Sequence, residues 1–160
     1  MRFIKIYFAA VLLCATSALA KPPSKPKVCS TKEKGPDLEE KQQEALAGFA
    51  HLFLDKQDVK AAFDTYVPGE YIQHNPFSAQ GREVAIEFLA ASMAAGVKTS
   101  NLTIFGGQGY GSLHYKMVIL TTNETYSVLD YFRFKGTCIV EHWDVLQTIT
   151  GNETNPIAYF

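Results

Sequence analysis

Two short segments of this chain carry side chains able to move protons: Tyr71-Ile72-Gln73-His74-Asn75-Pro76 and Glu141-His142-Trp143-Asp144. Each sets an imidazole beside amide or carboxylate groups in an apolar context. Brought together by a fold, they would supply acid and base groups and the walls of a pocket. Tyr71 and Phe132 are candidate walls. His74, Asn75 and His114 are candidate positioning groups, and His142, Asp130 and Asp144 are candidate catalytic groups.

The last hairpin gives this idea a geometry. Lys135-Gly136-Thr137 reads as a three-residue turn. Centred on Gly136, the turn opposes Phe134 to Cys138, Phe132 to Val140, Asp130 to His142 and Val128 to Asp144. Strand alternation then puts Asp130, Phe132, His142 and Asp144 on one face. Burial raises a carboxyl pKa and a neighbouring imidazolium opposes that, so such a cluster can hold an acid and a base near neutral pH. An Asp–His pair in a sheet is also a common structural hydrogen bond, and the sequence leaves both readings open. Trp143 and Arg133 alternate to the opposite face, and His51 falls on the polar side of a helix.

Other chemistries find little support. No two histidines stand at His-x-x-x-His spacing and no Cys–His cluster occurs, so no metal site is expected. No Gly-x-Ser-x-Gly elbow, phosphate loop or dinucleotide fingerprint is present. Gly106-Gly107-Gln108-Gly109 has no helix after it and reads as a strand bend or loop.

The elements that must position these groups change period along the chain. Asp37 reads as an N-cap, with Glu39 and Glu40 in the first turn. Ala45, Leu46, Phe49, Leu52 and Phe53 then recur at helical spacing. A short helix from about Asp58 carries Val59, Ala62, Phe63 and Tyr66, and Pro68-Gly69 ends it. The segment from Tyr71 to Pro76 is extended, because the residue before proline avoids the helical region. A third helix starts near Gly81, with Val84, Ala85, Phe88, Leu89 and Met93 as its stripe, and stops at Gly96. Strands follow: one around Leu102 and Ile104, then Leu113–Thr121, Tyr126–Phe134 and Cys138–Thr148. Helices first and strands last indicate an α+β domain with helices on one face of an antiparallel sheet.

The ends bear on location. Arg2 and Lys5, the apolar run Ile6 to Leu13 and Ala18-Leu19-Ala20 read as a signal peptide over residues 1–20. A secreted, extracellular protein follows from that reading. Residues 21–36, rich in proline and lysine, read as a flexible arm; 37–150 is the domain and 151–160 a tail. Without Arg2 and Lys5 the chain keeps 13 basic against its 16 acidic residues, with no basic face for nucleic acid. After signal cleavage nothing remains to hold a membrane. Cys29 and Cys138 are an even pair in an oxidising compartment: either one disulfide or two unrelated thiols. Asn101, Asn123 and Asn152 head glycosylation sequons.

The segment Tyr71 to Pro76 followed by Gly81-Arg82-Glu83, and Asp130-Tyr131-Phe132-Arg133 followed by Ile139 to Val145, resemble the corresponding parts of SnoaL-like proteins. The resemblance runs from about Leu38 to Gln147. It implies a nuclear-transport-factor-2-like fold, a curved antiparallel sheet wrapped into a cone and closed by three N-terminal helices around a pocket. Such domains often dimerise through the outer sheet face, so a homodimer is an expectation. The polyketide cyclases of this superfamily close rings by aldol condensation without metal or cofactor, and their acid/base carboxylate matches Asp144. Where some carry a pocket histidine, this chain has Asp130. Two functions follow: a secreted, cofactor-free acid/base enzyme (aldol condensation, cyclisation or isomerisation) acting on a small apolar carbonyl compound, or an extracellular binding module for a hydrophobic small molecule. In the first, Asp144 abstracts a proton, His142 oriented by Asp130 polarises the oxygen, and His74, Asn75 and His114 position the ligand.

Overall fold

The computed structural model describes residues 28–160. The expected signal peptide and the arm as far as residue 27 lie outside the described residues. The chain runs α1 (Leu38–Ala50), a π-helical turn (His51–Asp55), α2 (Val59–Tyr66), β1 (Ile72–Gln73), α3 (Arg82–Ala94), β2 (Val97–Gly107), β3 (Tyr110–Ile119), β4 (Glu124–Lys135) and β5 (Cys138–Thr148). The sheet order is β1-β5-β4-β3-β2, with β1 parallel to β5 and the other pairs antiparallel. This is the α+β architecture expected from helices first and strands last.

Apolar spacing places α1. Ala45, Leu46, Phe49 and Ala50 form its buried stripe. Gln42 is buried in the same helix because its amide ties two turns to it. Its Nε2 donates to the Gly136 carbonyl at 2.8 Å, and its Oε1 accepts the Gly109 N–H at 2.9 Å. Asp37 does not cap α1 with its side chain, contrary to the reading above; only its carbonyl is used, accepting the Lys41 N–H. Asp58 does cap α2, accepting the Ala61 N–H at 2.9 Å. Between them, Lys56 N–H reaches back five residues to the His51 carbonyl. Phe53 and Leu54 are both buried in this wider turn.

The final hairpin corrects the expected register. Its loop has two residues, Gly136 and Thr137, with Lys135 opposite Cys138 and Phe134 opposite Ile139. A bulge then leaves Val140 without an opposite residue, so Arg133 faces Glu141, Phe132 faces His142 and Asp130 faces Asp144. The shorter turn and the extra residue each shift the register by one. Together they shift it by two, which restores the alternation. Asp130, Phe132, His142 and Asp144 therefore still share a face, with different opposite neighbours from those expected.

The segment before α1 is held at this turn. Cys29 is joined to Cys138 by a disulfide, Cα atoms 5.1 Å apart. The Thr137 N–H donates to the Ser30 carbonyl, and the Ser30 N–H to Thr137 Oγ1. Gly136 has φ +59°, and a Cβ there would lie 2.1 Å from the Ser30 carbonyl oxygen. Only glycine fits both the left-handed turn and the crossing segment.

The concave face of β3, β4 and β5 packs on α1, α2 and the π-helical turn. Leu113, Tyr115, Val128, Phe132, Phe134 and Ile139 meet Leu46, Phe49, Phe53 and Phe63 there. Phe49 lies at the centre, with ring centroids 5.5 to 5.9 Å from those of Phe53, Phe63 and Phe132. Among the described residues, no helix is long and apolar enough to cross a membrane.

Candidate functional site

Helices and sheet leave a cavity of about 490 Å³ between them. Most of its wall is apolar, from Phe49, Phe53 and Phe63 through Leu89 and Met93 to Met117 and Val128. The polar groups at one side converge from four strands and one loop: Tyr115 from β3, Asp130 from β4, His142 and Asp144 from β5, Gln73 from β1 and Asn75 beyond it.

The short parallel strand β1 does the positioning. Gln73 sits opposite His142 in the ladder, and the His74 N–H continues the pairing by donating to the His142 carbonyl. The Gln80 side chain grips the Gln73 backbone from the other side, accepting its N–H and donating to its carbonyl. Gln73 is thus fixed at both edges, with its side chain turned inward and buried.

Hydrogen-bond direction in the cluster follows from the fixed backbone donors. Gln73 Oε1 accepts the Asn75 N–H at 3.0 Å, which settles which end of the amide faces the cavity. The same oxygen lies 2.8 Å from His142 Nδ1, so Nδ1 carries a proton. His142 Nε2 lies 3.2 Å from Asp130 Oδ1. That contact needs one more proton, held on Nε2 or on Asp130. The Tyr115 hydroxyl donates to Asp130 Oδ2 at 3.0 Å. Gln73, His142, Asp130 and Tyr115 form one buried chain in which His142 and Asp130 share a proton.

Asp144 stands outside this chain. Asn75 Oδ1 accepts the Phe77 N–H at 2.7 Å, which aims the Asn75 amide N–H at Asp144 Oδ2. Asp144 Oδ1 has no protein hydrogen-bond partner among the described residues. Asp144 is half-buried, lines the cavity and is paired across the ladder with Asp130.

Two tyrosines near the carboxylates are held in their neutral form. Burial pushes the Tyr115 phenol far up, and Asp130 beside it pushes further. Burial does the same to Tyr71, with Asp130 and then Asp144 adding to the shift. Tyr71 is stacked toward His142, ring centroids 6.3 Å apart, and Phe132 closes the other side at 5.0 Å.

Tyr71, Asn75, Phe132, Asp130, His142 and Asp144 therefore all line the cavity. His74 and His114 do not, contrary to expectation. His74 follows the inward Gln73, so it points to the convex face, where it bonds Glu141 at 2.8 Å and stacks on Trp143 at 4.7 Å. Arg133 reaches the same carboxylate. The His74 hydrogen bond and then Arg133 hold the Glu141 carboxyl below its usual range. His114 lies between the inward Leu113 and Tyr115, so it also faces outward, bonding Ser127 and stacking on Phe160. Gln73 and Tyr115 take the places expected of these histidines, and the sequence reading assigned neither a role. For Tyr115 the alternation Leu113-x-Tyr115-x-Met117 was an available signal.

One ligand atom from each of Asp130, His142 and Asp144 lies within 4.8 Å of the others, a spacing a metal ion could bridge. Yet both Asp130 oxygens and both His142 nitrogens already serve the chain through Gln73 and Tyr115. A cation would have to displace those hydrogen bonds, so the donor set fits proton sharing better than metal binding.

No protein-family model matches the chain, and no curated protein is similar to it in sequence. Solved structures do match it in shape. A nuclear-transport-factor-2-like protein of unknown function from Mesorhizobium loti is 16% identical, covers 71% of this chain and 97% of its own, and gives a TM-score of 0.58. A proposed ketosteroid isomerase from Kribbella flavida is 10% identical over 73% of this chain and 85% of its own, TM-score 0.57. A proposed polyketide cyclase from Acidithiobacillus ferrooxidans is 16% identical over 67% and 88%, TM-score 0.53. The chain has the nuclear-transport-factor-2-like fold, as its resemblance to SnoaL-like proteins implied.

Proposed function

We propose that this protein is an acid/base enzyme acting on a small apolar carbonyl compound, by aldol condensation, cyclisation or isomerisation. The observation that carries the reading is Asp144: one carboxyl oxygen is held by Asn75 and the other has no partner among the described residues, in a largely apolar cavity next to the hydrogen-bonded His142–Asp130 pair. Asp144 takes a proton from the carbon next to the carbonyl. The proton shared by His142 and Asp130 meets the negative charge that develops on the carbonyl oxygen. Tyr115 keeps the Asp130 end of the pair oriented. The carbanion then attacks a second carbonyl, whose alkoxide takes up the proton from Asp144, or is reprotonated at another carbon by Asp144; either route returns the base to its starting state. Fold analogy supports the reading, since a cyclase and an isomerase have been proposed for proteins of this shape, but fold does not fix function.

Secretion belongs to the same proposal. The Cys29–Cys138 disulfide supports an oxidising compartment, and the sequons at Asn101, Asn123 and Asn152 are exposed and open to glycosylation. An outer sheet face exposing Phe105, Leu129 and Val145 supports a homodimer.

The test is Asp144→Asn, which keeps shape and removes the base. Turnover of a carbonyl substrate should fall by about 10² or more, with ligand affinity little changed. Unchanged turnover would remove Asp144 from the chemistry; affinity without turnover in the wild type would make the protein a binding module.

A further inference from the structure

We propose that the cavity selects uncharged carbonyl ligands and rejects carboxylates built on the same apolar chain. The proposal rests on the acid/base reading of the site and adds the charge class of its substrate.

The exclusion of anions follows from what lines the cavity. Among the described residues, no lysine or arginine does so. Arg133 is on the convex face with Glu141, and Arg82 is spent on the Val67 carbonyl and Asp64. Two carboxyls, of Asp130 and Asp144, line the cavity against the single imidazole of His142. A ligand carboxylate would be desolvated beside them with no lysine or arginine as counter-ion.

A carbonyl asks for less. It needs one or two donors, and the neutral Tyr71 phenol and the His142 imidazole both line the cavity. Its apolar remainder matches the aromatic and aliphatic wall.

The experiment measures dissociation constants of the intact protein for a matched set: a medium-chain methyl ketone, the aldehyde and the carboxylate of equal length, at pH 7. Ketone and aldehyde should bind at least about 10²-fold more tightly than the carboxylate, the order expected when a charge is buried unpaired. Asp144→Asn should narrow the carboxylate gap. Leu146→Arg should narrow it independently, because Leu146 lines the cavity yet is 44% exposed and can carry a cation. Equal binding of ketone and carboxylate, or a gap that both variants leave unchanged, would each overturn the proposal. Selective ketone binding without turnover would overturn the enzymatic reading and keep the selectivity. Binding by no member of the set would overturn both.

Discussion

Gln73→Leu removes the acceptor on which the proton arrangement of the site depends. Two N–H groups, of Asn75 and His142, point at Gln73 Oε1. Leucine has similar bulk and no oxygen, so both donors lose their partner. His142 is 8% exposed, so water cannot replace the lost contact there without opening the site. Each buried donor left unmade costs about 1–3 kcal/mol. The Asn75 N–H is half-buried and belongs at the low end, which gives a loss of about 2–4 kcal/mol for the pair. For a domain of this size each kcal/mol lowers Tm by about 3–5 °C, so a drop of roughly 6–20 °C is expected by calorimetry. The second readout is nitrogen NMR of the His142 ring. Wild type should show Nδ1 protonated, and the variant should lose that preference, because nothing then accepts the Nδ1 proton. A Tm within about 2 °C of wild type, a shift smaller than 1 kcal/mol would give, together with a wild-type His142 bare at Nδ1, would refute the hydrogen-bond assignment and the shared proton built on it.

Further outcomes follow from other contacts. Replacing both Cys29 and Cys138 by serine should cost about 2–4 kcal/mol in denaturant unfolding, since the bridge closes a long loop across a sequence separation of 109. In a spectrophotometric pH titration, Tyr115 and Tyr71 should stay un-ionised well above pH 10 while exposed tyrosines ionise; Tyr115→Phe should therefore leave the tyrosinate signal at pH 11 unchanged. The Glu141 carboxyl is lowered by folding, so its contribution is present above the unfolded carboxyl pKa and is lost as pH falls through the folded one. Glu141→Gln should accordingly cost about 1 kcal/mol or less at pH 7, and the difference from wild type should vanish in acid.

The sequence was legible where one pattern dominated. The stripe of α1 and the alternation of β4 and β5 come straight from apolar spacing, because burial of one face leaves little choice. The carboxylate–imidazole face was found by alternation even though the turn was misjudged, since the bulge at Val140 added the compensating residue. A bulge has no local residue signature here, so the true opposite neighbours could not be read. His74 was misplaced because its segment is extended and ends at a proline, with no second strand in the sequence to show which side faces inward. Its neighbour Gln73 became the buried group only through pairing with β5, a contact between residues 69 positions apart. His114 was a failure of weighting: a titratable residue between Leu113 and Tyr115 belongs on the outer face by the same alternation that placed His142. Asp37 has the residue type of a cap, but its backbone conformation turns the side chain away.

The central claim is that Asp144 is a base aimed at a carbon acid. Hydrogen–deuterium exchange tests it without knowledge of the product. A ketone that binds the cavity is incubated with the protein in deuterated water, and the protons next to its carbonyl are followed by NMR. The account predicts exchange well above the buffer rate, abolished in Asp144→Asn while the ketone still binds. A bound ketone whose protons exchange no faster than in buffer, or exchange that survives in Asp144→Asn, would contradict it.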